Sequence, residues 1–318
     1  MNQLPELPER DLPPARHRLL KEHLMTEIRR AEQTPGRPRR VWLRPVLVSA
    51  AAATVAAVTI SLLPSDGDAF TPPAATPSPG VARLLEDAAL AAEHEKVPEV
   101  RDDQFTYVKS IGAWGISEHT CEPATAGPLR TREVWKSVDG EREGMVRDTE
   151  LGTLPIEPEG GDRPQNRNYR SLESLPTDPD DMLAWLYRNK EGEGRDDADL
   201  AFDLAVETAG ETVLPPEVSA ALYRAVARIP GVVLVEDSVD ATGRRGPAVG
   251  FVAPGGTSRQ ELIFDRKTLV LLGERTVVLK DAPTNPGEVC DGVIKAGSVE
   301  ATSAVLERAF VGEKGERP

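Results

Sequence analysis

With 318 residues, 39% of them hydrophobic and 28% charged, the chain is long enough for a well-cored domain and, on length alone, for two. That composition excludes a polytopic membrane protein, a coiled coil and a collagen-like rod. A formal net charge of −14 also argues against a chain-wide nucleic-acid surface, which needs Lys and Arg facing phosphate.

The charge is unevenly placed. Residues 1–45 carry ten basic and six acidic side chains, a net +4, while the remaining 28 basic and 46 acidic residues leave −18. Two regions so different are built for different surroundings. Within the first, Pro13 and Pro14 suit a helix start, Leu20, Leu24 and Ile28 recur at four-residue steps, Ala31 completes the stripe, and Pro35-Gly36 ends it. A single helix of this length buries no core alone. It reads either as a juxtamembrane helix lying on anionic lipid or as a docking helix, within residues 12–31, for a cytoplasmic protein.

Val46 to Leu63 follows, eighteen residues without a charge and with nothing more polar than Ser49, Thr54, Thr59 and Ser61. As a helix it is roughly 27 Å long, about the thickness of a bilayer's hydrocarbon core. Arg37, Arg39, Arg40 and Arg44 crowd its entrance, and Asp66 and Asp68 follow its exit. The positive-inside rule then expects a single-pass anchor with a cytoplasmic N-terminus, in the cell membrane, and an extracytoplasmic C-terminal bulk. A cleaved signal peptide fits poorly, because its charged region would be about forty residues long and no clear Ala-x-Ala site follows. Residues 64–80 are a linker, whose Phe70–Gly80 stretch (FTPPAATPSPG) is a Pro-rich, semi-rigid stalk.

Residues 81–318 read as one α+β domain, with helices packed on a curved antiparallel sheet. Val81–Glu93 is helical by composition. Gln104–Trp114, Arg130–Val138 and Glu143–Arg147 read as strands, with Asp139-Gly140 as a hairpin signal. Thr149–Asn168 reads as a long loop. Asp178 then caps a helix with Pro179 at its first position, carrying Met182, Leu183 and Leu186 inward. Asp199–Thr208 is helical, and Pro215-Pro216 opens a helix whose stripe of Val218, Ala221, Leu222, Ala225, Val226 and Ile229 faces a sheet. After Pro230-Gly231 come strands at Val232–Val239, Pro247–Ala253, Glu261–Asp265, Leu269–Lys280 and around Ser298–Val311. In Leu269–Lys280 the alternation places Leu269, Leu271, Val277 and Leu279 inward and Glu274, Thr276 and Lys280 outward.

Chemistry-bearing residues are few. Cys121 and Cys290 both follow the anchor, so they are expected in an oxidising space and are candidates to pair. His119 and Cys121 lack the ligand spacing of a zinc site, and Asp196, Asp197, Asp199 and Asp203 lack that of a calcium loop. There is no Gly-x-Ser-x-Gly, no phosphate-cradling Gly-rich loop and no dinucleotide fingerprint. No enzyme and no cofactor is expected.

Six segments together carry a resemblance: LPPARHRLL (Leu12–Leu20), RDDQFTYVKS (Arg101–Ser110), REVWKSVDGER (Arg132–Arg142), LPTDPDDMLAWL (Leu175–Leu186), ETVLPPEVSAALYRAVARIPGV (Glu211–Val232) and ELIFDRKTLVLLGER (Glu261–Arg275). With them the chain resembles, over nearly its whole length, an uncharacterised family of single-pass membrane proteins of high-GC Gram-positive bacteria, often encoded beside extracytoplasmic-function sigma factors. The resemblance implies a role in cell-envelope signalling, with a cytoplasmic sigma factor as partner, and brings no catalytic residues. The order of helices and curved sheet also looks like a lipoprotein-carrier half-barrel, which is a likeness of fold and not of function. Three classes follow: a transmembrane sensor or regulator, an anchored lipid- or peptide-binding module without signalling, and an anchored enzyme. The bilayer and an extracytoplasmic ligand of unknown identity are the other expected partners.

Overall fold

A computed structural model describes residues 72–115, 126–158, 167–192, 195–284 and 292–318. Among the described residues the chain is an α+β protein with five helices and a large antiparallel sheet. It enters through helix α1 (Pro79–Glu93), started by Pro79 and capped by Ser78, whose Oγ accepts from the Val81 amide. Strands β1 (Phe105–Trp114), β2 (Arg130–Ser137), β3 (Gly144–Asp148) and β4 (Gly152–Ile156) follow as a meander. Four helices come next: α2 (Tyr169–Glu173), α3 (Pro179–Asn189), α4 (Asp197–Ala209) and α5 (Pro216–Ala227). Strands β5 (Val233–Val239), β6 (Arg245–Phe251), β7 (Ser258–Phe264) and β8 (Leu271–Val278) form a second meander. A small pair, β9 (Ala282–Pro283) and β10 (Val293–Ile294), precedes the long β11 (Val299–Val311). The main sheet runs β4-β3-β2-β1-β11-β8-β7-β6-β5, antiparallel throughout, so β11 joins the two meanders.

The helices start where the sequence supplies caps. Asp178 Oδ1 accepts from the amides of Asp180 and Asp181, and Asp196 caps α4 in the same way. Their apolar faces close one core over β6–β8, in which Phe202 stacks on Phe251 at 5.5 Å and Tyr223 meets Phe264 edge-on at 5.3 Å. The predicted inward residues Met182, Leu183, Leu186, Val218, Ala221, Leu222, Ala225, Val226 and Ile229 are all buried there. A second, smaller cluster (Phe105, Tyr107, Trp135, Val311) lies on the other face of β1–β2. It is roofed by the last seven residues: Trp135 Nε1 donates to the Glu316 carbonyl at 2.5 Å, and Arg317 donates to both oxygens of Glu133 at 2.6 Å.

Two expectations are corrected. The span Thr149–Asn168 is not all loop, since it contains β4. That strand pairs residue by residue with β3 after a turn at Gly152, whose φ of +78° suits glycine. Its side chains are almost all exposed, so backbone pairing rather than burial forms it, and no hydrophobic alternation marks it. The second correction concerns Leu269–Lys280. A bulge where Ile263 pairs Gly273 but Phe264 pairs Leu271 shifts the parity of β8. Leu271 still faces the helices, but Glu274 opposite Leu262 does too, while Leu279 is exposed. One inserted residue exchanges the faces for everything beyond it.

Candidate functional site

The residues singled out from sequence lie outside the described residues: the stripe Leu20, Leu24 and Ile28, the arginines Arg37, Arg39, Arg40 and Arg44, the span Val46–Leu63, and both cysteines, Cys121 and Cys290. No helix among the described residues is long and apolar enough to cross a membrane. What the structure places together is a different set, in two locations.

The first is the space between α4, the segment after it, and the middle of the sheet. Arg308 of β11 reaches across, donating from Nε to the Thr212 carbonyl at 2.8 Å and from Nη2 to those of Ala209 and Gly210 at 2.9 and 2.7 Å. A guanidinium here satisfies carbonyls left over at the end of α4 and suits the negative end of the helix dipole. Burial pulls the Arg308 pKa down from its ordinary value. Beside it Glu211 accepts from Ser110 Oγ at 2.7 Å and lies 2.8 Å from Arg132 Nε. Lys136 of β2 is buried, which pushes its pKa down to about 8, with Glu211 opposing and Arg132 adding to the shift.

Further along, Asp203 accepts from Gln260 Nε2 at 3.2 Å and from Arg195, which also holds Asp199. Glu274 faces this row. Burial pushes its pKa up to about 7, helped by the negative charges of Glu211, Asp203 and Glu207 and opposed by the Ser303 hydroxyl. Charged groups thus line the helix-facing side of the sheet on either side of β11. The small cavity between Lys136, Tyr169 and Leu172 measures about 10 Å³, room for about one water.

Of the described residues in this row, Ser110 has a carboxylate partner in Glu211, whose other oxygen lies on Arg132. His94, the one histidine among the described residues, sits on an exposed helix end with Nδ1 2.6 Å from the Leu90 carbonyl. Ser238 donates to Glu261, but Arg259 already occupies the other oxygen of that carboxylate, so it is spent as a base. Among the described residues no group of three or more His, Cys, Asp or Glu side chains could hold a metal ion. Asp196 and Asp197 start α4 and Asp199 and Asp203 pair with Arg195.

The second location is the joint between the Pro-rich linker and the helices. Residues 74–77 reach the end of α5, with the Ala75 amide donating 2.9 Å to the Arg228 carbonyl, and together with α1 and α5 they line an open groove of about 580 Å³. Arg224 bridges to α1, donating to both oxygens of Glu86 at 3.0 and 2.8 Å and to Glu93 at 2.5 Å. Arg228 pairs with Asp180 of α3. Sequence reasoning missed both locations. Arg224 and Arg228 sit one turn apart in a recognised helix, but nothing local shows that the linker folds back onto them. The chain matches no family model and no curated protein.

Proposed function

We propose that this chain is a single-pass membrane protein of the cell envelope, an extracytoplasmic sensor or sigma-factor-associated regulator, in the uncharacterised family its sequence resembles. The observation that carries this reading is the uncharged run Val46–Leu63 between four arginines and two aspartates. In sequence the Pro-rich linker and the folded unit follow this run, and the stripe Leu20, Leu24 and Ile28 precedes it. External protease added to intact cells should degrade the outer domain and spare an N-terminal epitope. Loss of the N-terminal epitope under those conditions would reverse the topology. Residues 1–45 used as bait should retain a cytoplasmic sigma factor; binding to anionic vesicles alone would reduce the helix to a membrane contact.

A half-barrel like that of lipoprotein carriers is supported by the β5–β6 hairpin. Its connection folds back so that Arg244 Nη2 donates to Leu272 O of β8 at 3.0 Å and Val305 O of β11 at 2.8 Å. In a flat sheet β11 would lie about 14 Å from β6, three strand spacings away. A charged inner face favours a peptide or another polar ligand over lipid for this unit. The described residues that flank the two cysteine-bearing segments meet at one end of the sheet, where the Ala126 amide bonds Val299 O and Val299 pairs Val277 near the end of β8. That proximity supports a Cys121–Cys290 disulfide, for which thiol alkylation of the unfolded protein only after reduction is the check.

A further inference from the structure

The groove at the linker joint has features the proposed sensor role does not by itself require. One wall is the linker, held by the Ala75 amide on the Arg228 carbonyl and by Ser78 at the start of α1. The opposite side is the last turn of α5, with Arg224 and Arg228 both lining the space. The two guanidiniums differ in how firmly they are engaged. Arg224 is forked onto two glutamates of α1, which clamps that helix to α5. Arg228 leans on Asp180, a carboxylate whose side chain is 73% exposed. An exposed pair of this kind contributes little and exchanges readily for another anion. The rest of the wall is mostly small, Ala74, Ala75, Thr76, Pro77, Ala82 and Ala227, and its one carboxylate, Glu86, is held by Arg224. The planar guanidinium of Arg228, beside mostly methyl-sized walls, suits an oxyanion carried on a compact body. At about 580 Å³ the groove falls within the ordinary range of small-ligand sites.

We propose that this groove binds a small ligand bearing a carboxylate or phosphate, which replaces Asp180 on Arg228 and rests against the linker. A ligand touching α5 and residues 74–77 at once binds best when the linker is docked. By linkage, its binding therefore holds the linker down. This deepens the proposed function, on which it rests only for the statement that the linker leads to the membrane. Binding itself stands on the groove alone.

The full-length chain in detergent micelles is titrated calorimetrically with acetyl-Ala-Ala-Ala bearing a free carboxylate, with the same peptide as its C-terminal amide, and with inorganic phosphate. Amide hydrogen exchange is followed over residues 72–82. The free-acid peptide should bind saturably, the amide at least about tenfold more weakly, and exchange at Ala75 should slow on binding. Arg228→Gln should remove the preference for the acid. Ala82→Leu should block the groove without touching either arginine, and Arg83→Gln, at an exposed position of α1, should change nothing. Saturable phosphate binding with the same dependence on Arg228 upholds the site and assigns its anion to phosphate. Absence of binding by both anions, or binding indifferent to Arg228→Gln and Ala82→Leu, overturns the site. Binding without slower exchange at Ala75 overturns the coupling to the linker. An extracellular N-terminus would sink the membrane topology and leave the binding result standing.

Discussion

The two flanks of the sheet are held by different physics. Over β6–β8 five helices bury a continuous apolar core, with Phe202, Leu222 and Phe264 essentially inaccessible to water. Across β1–β4 burial is thinner: four residues form the cluster under the C-terminal segment, and much of the rest is ion pairs such as Arg317–Glu133, Lys314–Glu143 and Arg130–Glu150. Even the free edges differ. Strand β4 carries Pro155, which cannot donate to a further strand, whereas β5 has a bulge and carries Asp237, paired with Arg245 and Arg266. One flank is therefore expected to answer to cavities and the other to pH and salt.

The sharpest way to break the apolar flank is Phe202→Ala. It removes the ring stacked on Phe251 from a fully buried site and should cost about 3–5 kcal/mol in chemical denaturation. An effect below 1 kcal/mol would mean that α4 is not packed as described.

Glu274 lies where the flanks meet, and its sign is opposite to that of an ordinary surface acid. Its folded pKa is raised to about 7, so between the ordinary carboxylate range and 7 the folded chain holds a proton that the unfolded chain has lost. Stability from this group falls as pH rises across that window and is at its lowest above 7. Glu274→Gln should flatten the slope and raise stability at pH 8 by about 1–3 kcal/mol, read from denaturation midpoints at pH 5 and 8. A variant no more stable than the parent at pH 8 would refute the desolvation of Glu274.

Glu133 on the other flank behaves in the opposite way. Arg317 first, and then the Tyr107 hydroxyl, hold its carboxyl below the usual range despite burial. Its contribution is present above the unfolded value and is lost as pH falls through the lower folded value. Glu133→Gln should cost about 1–3 kcal/mol at neutral pH, free the C-terminal segment and redden Trp135 fluorescence. The same reddening should appear in the parent on acidification below the ordinary carboxylate range. Fluorescence unchanged in both would show that residues 312–318 do not depend on this carboxylate.

The contrast between the flanks also marks what the amino-acid pattern discloses. Asp178-Pro179, Pro215-Pro216, Pro230-Gly231 and Asp139-Gly140 act within a few residues of themselves, so the starts of α3 and α5, the stop after α5 and the β2–β3 hairpin could be read directly, whereas α2 could not. Strand β4 could not, because its GTLPI side chains stay in water and only its backbone pairs. Nor could the bulge in β8, which depends on how Phe264 meets Leu271 and which turned Glu274 from an expected outward acid into an inner one. Arg308 on the end of α4, Arg317 on Glu133 and Arg228 beneath the linker join residues far apart in sequence, and no local spacing announces such contacts.

The smallest effect is expected at Tyr187 of α3, in the apolar flank. Its ring is buried, and burial pushes the phenol up to about 12, with Asp196 and Asp197 adding to the shift. Its hydroxyl has no hydrogen-bond partner among the described residues. A buried hydroxyl without a partner is desolvated for no return, and removing it spares the ring packing. Tyr187→Phe should therefore be neutral or stabilise by up to about 1 kcal/mol. That sets it apart from Tyr107→Phe on the other flank, where the hydroxyl donates 2.8 Å to Glu133 and its loss should destabilise by about 1 kcal/mol. Equal losses at the two tyrosines would mean that Tyr187 has found a partner, and that the apolar flank is less purely apolar than its packing indicates.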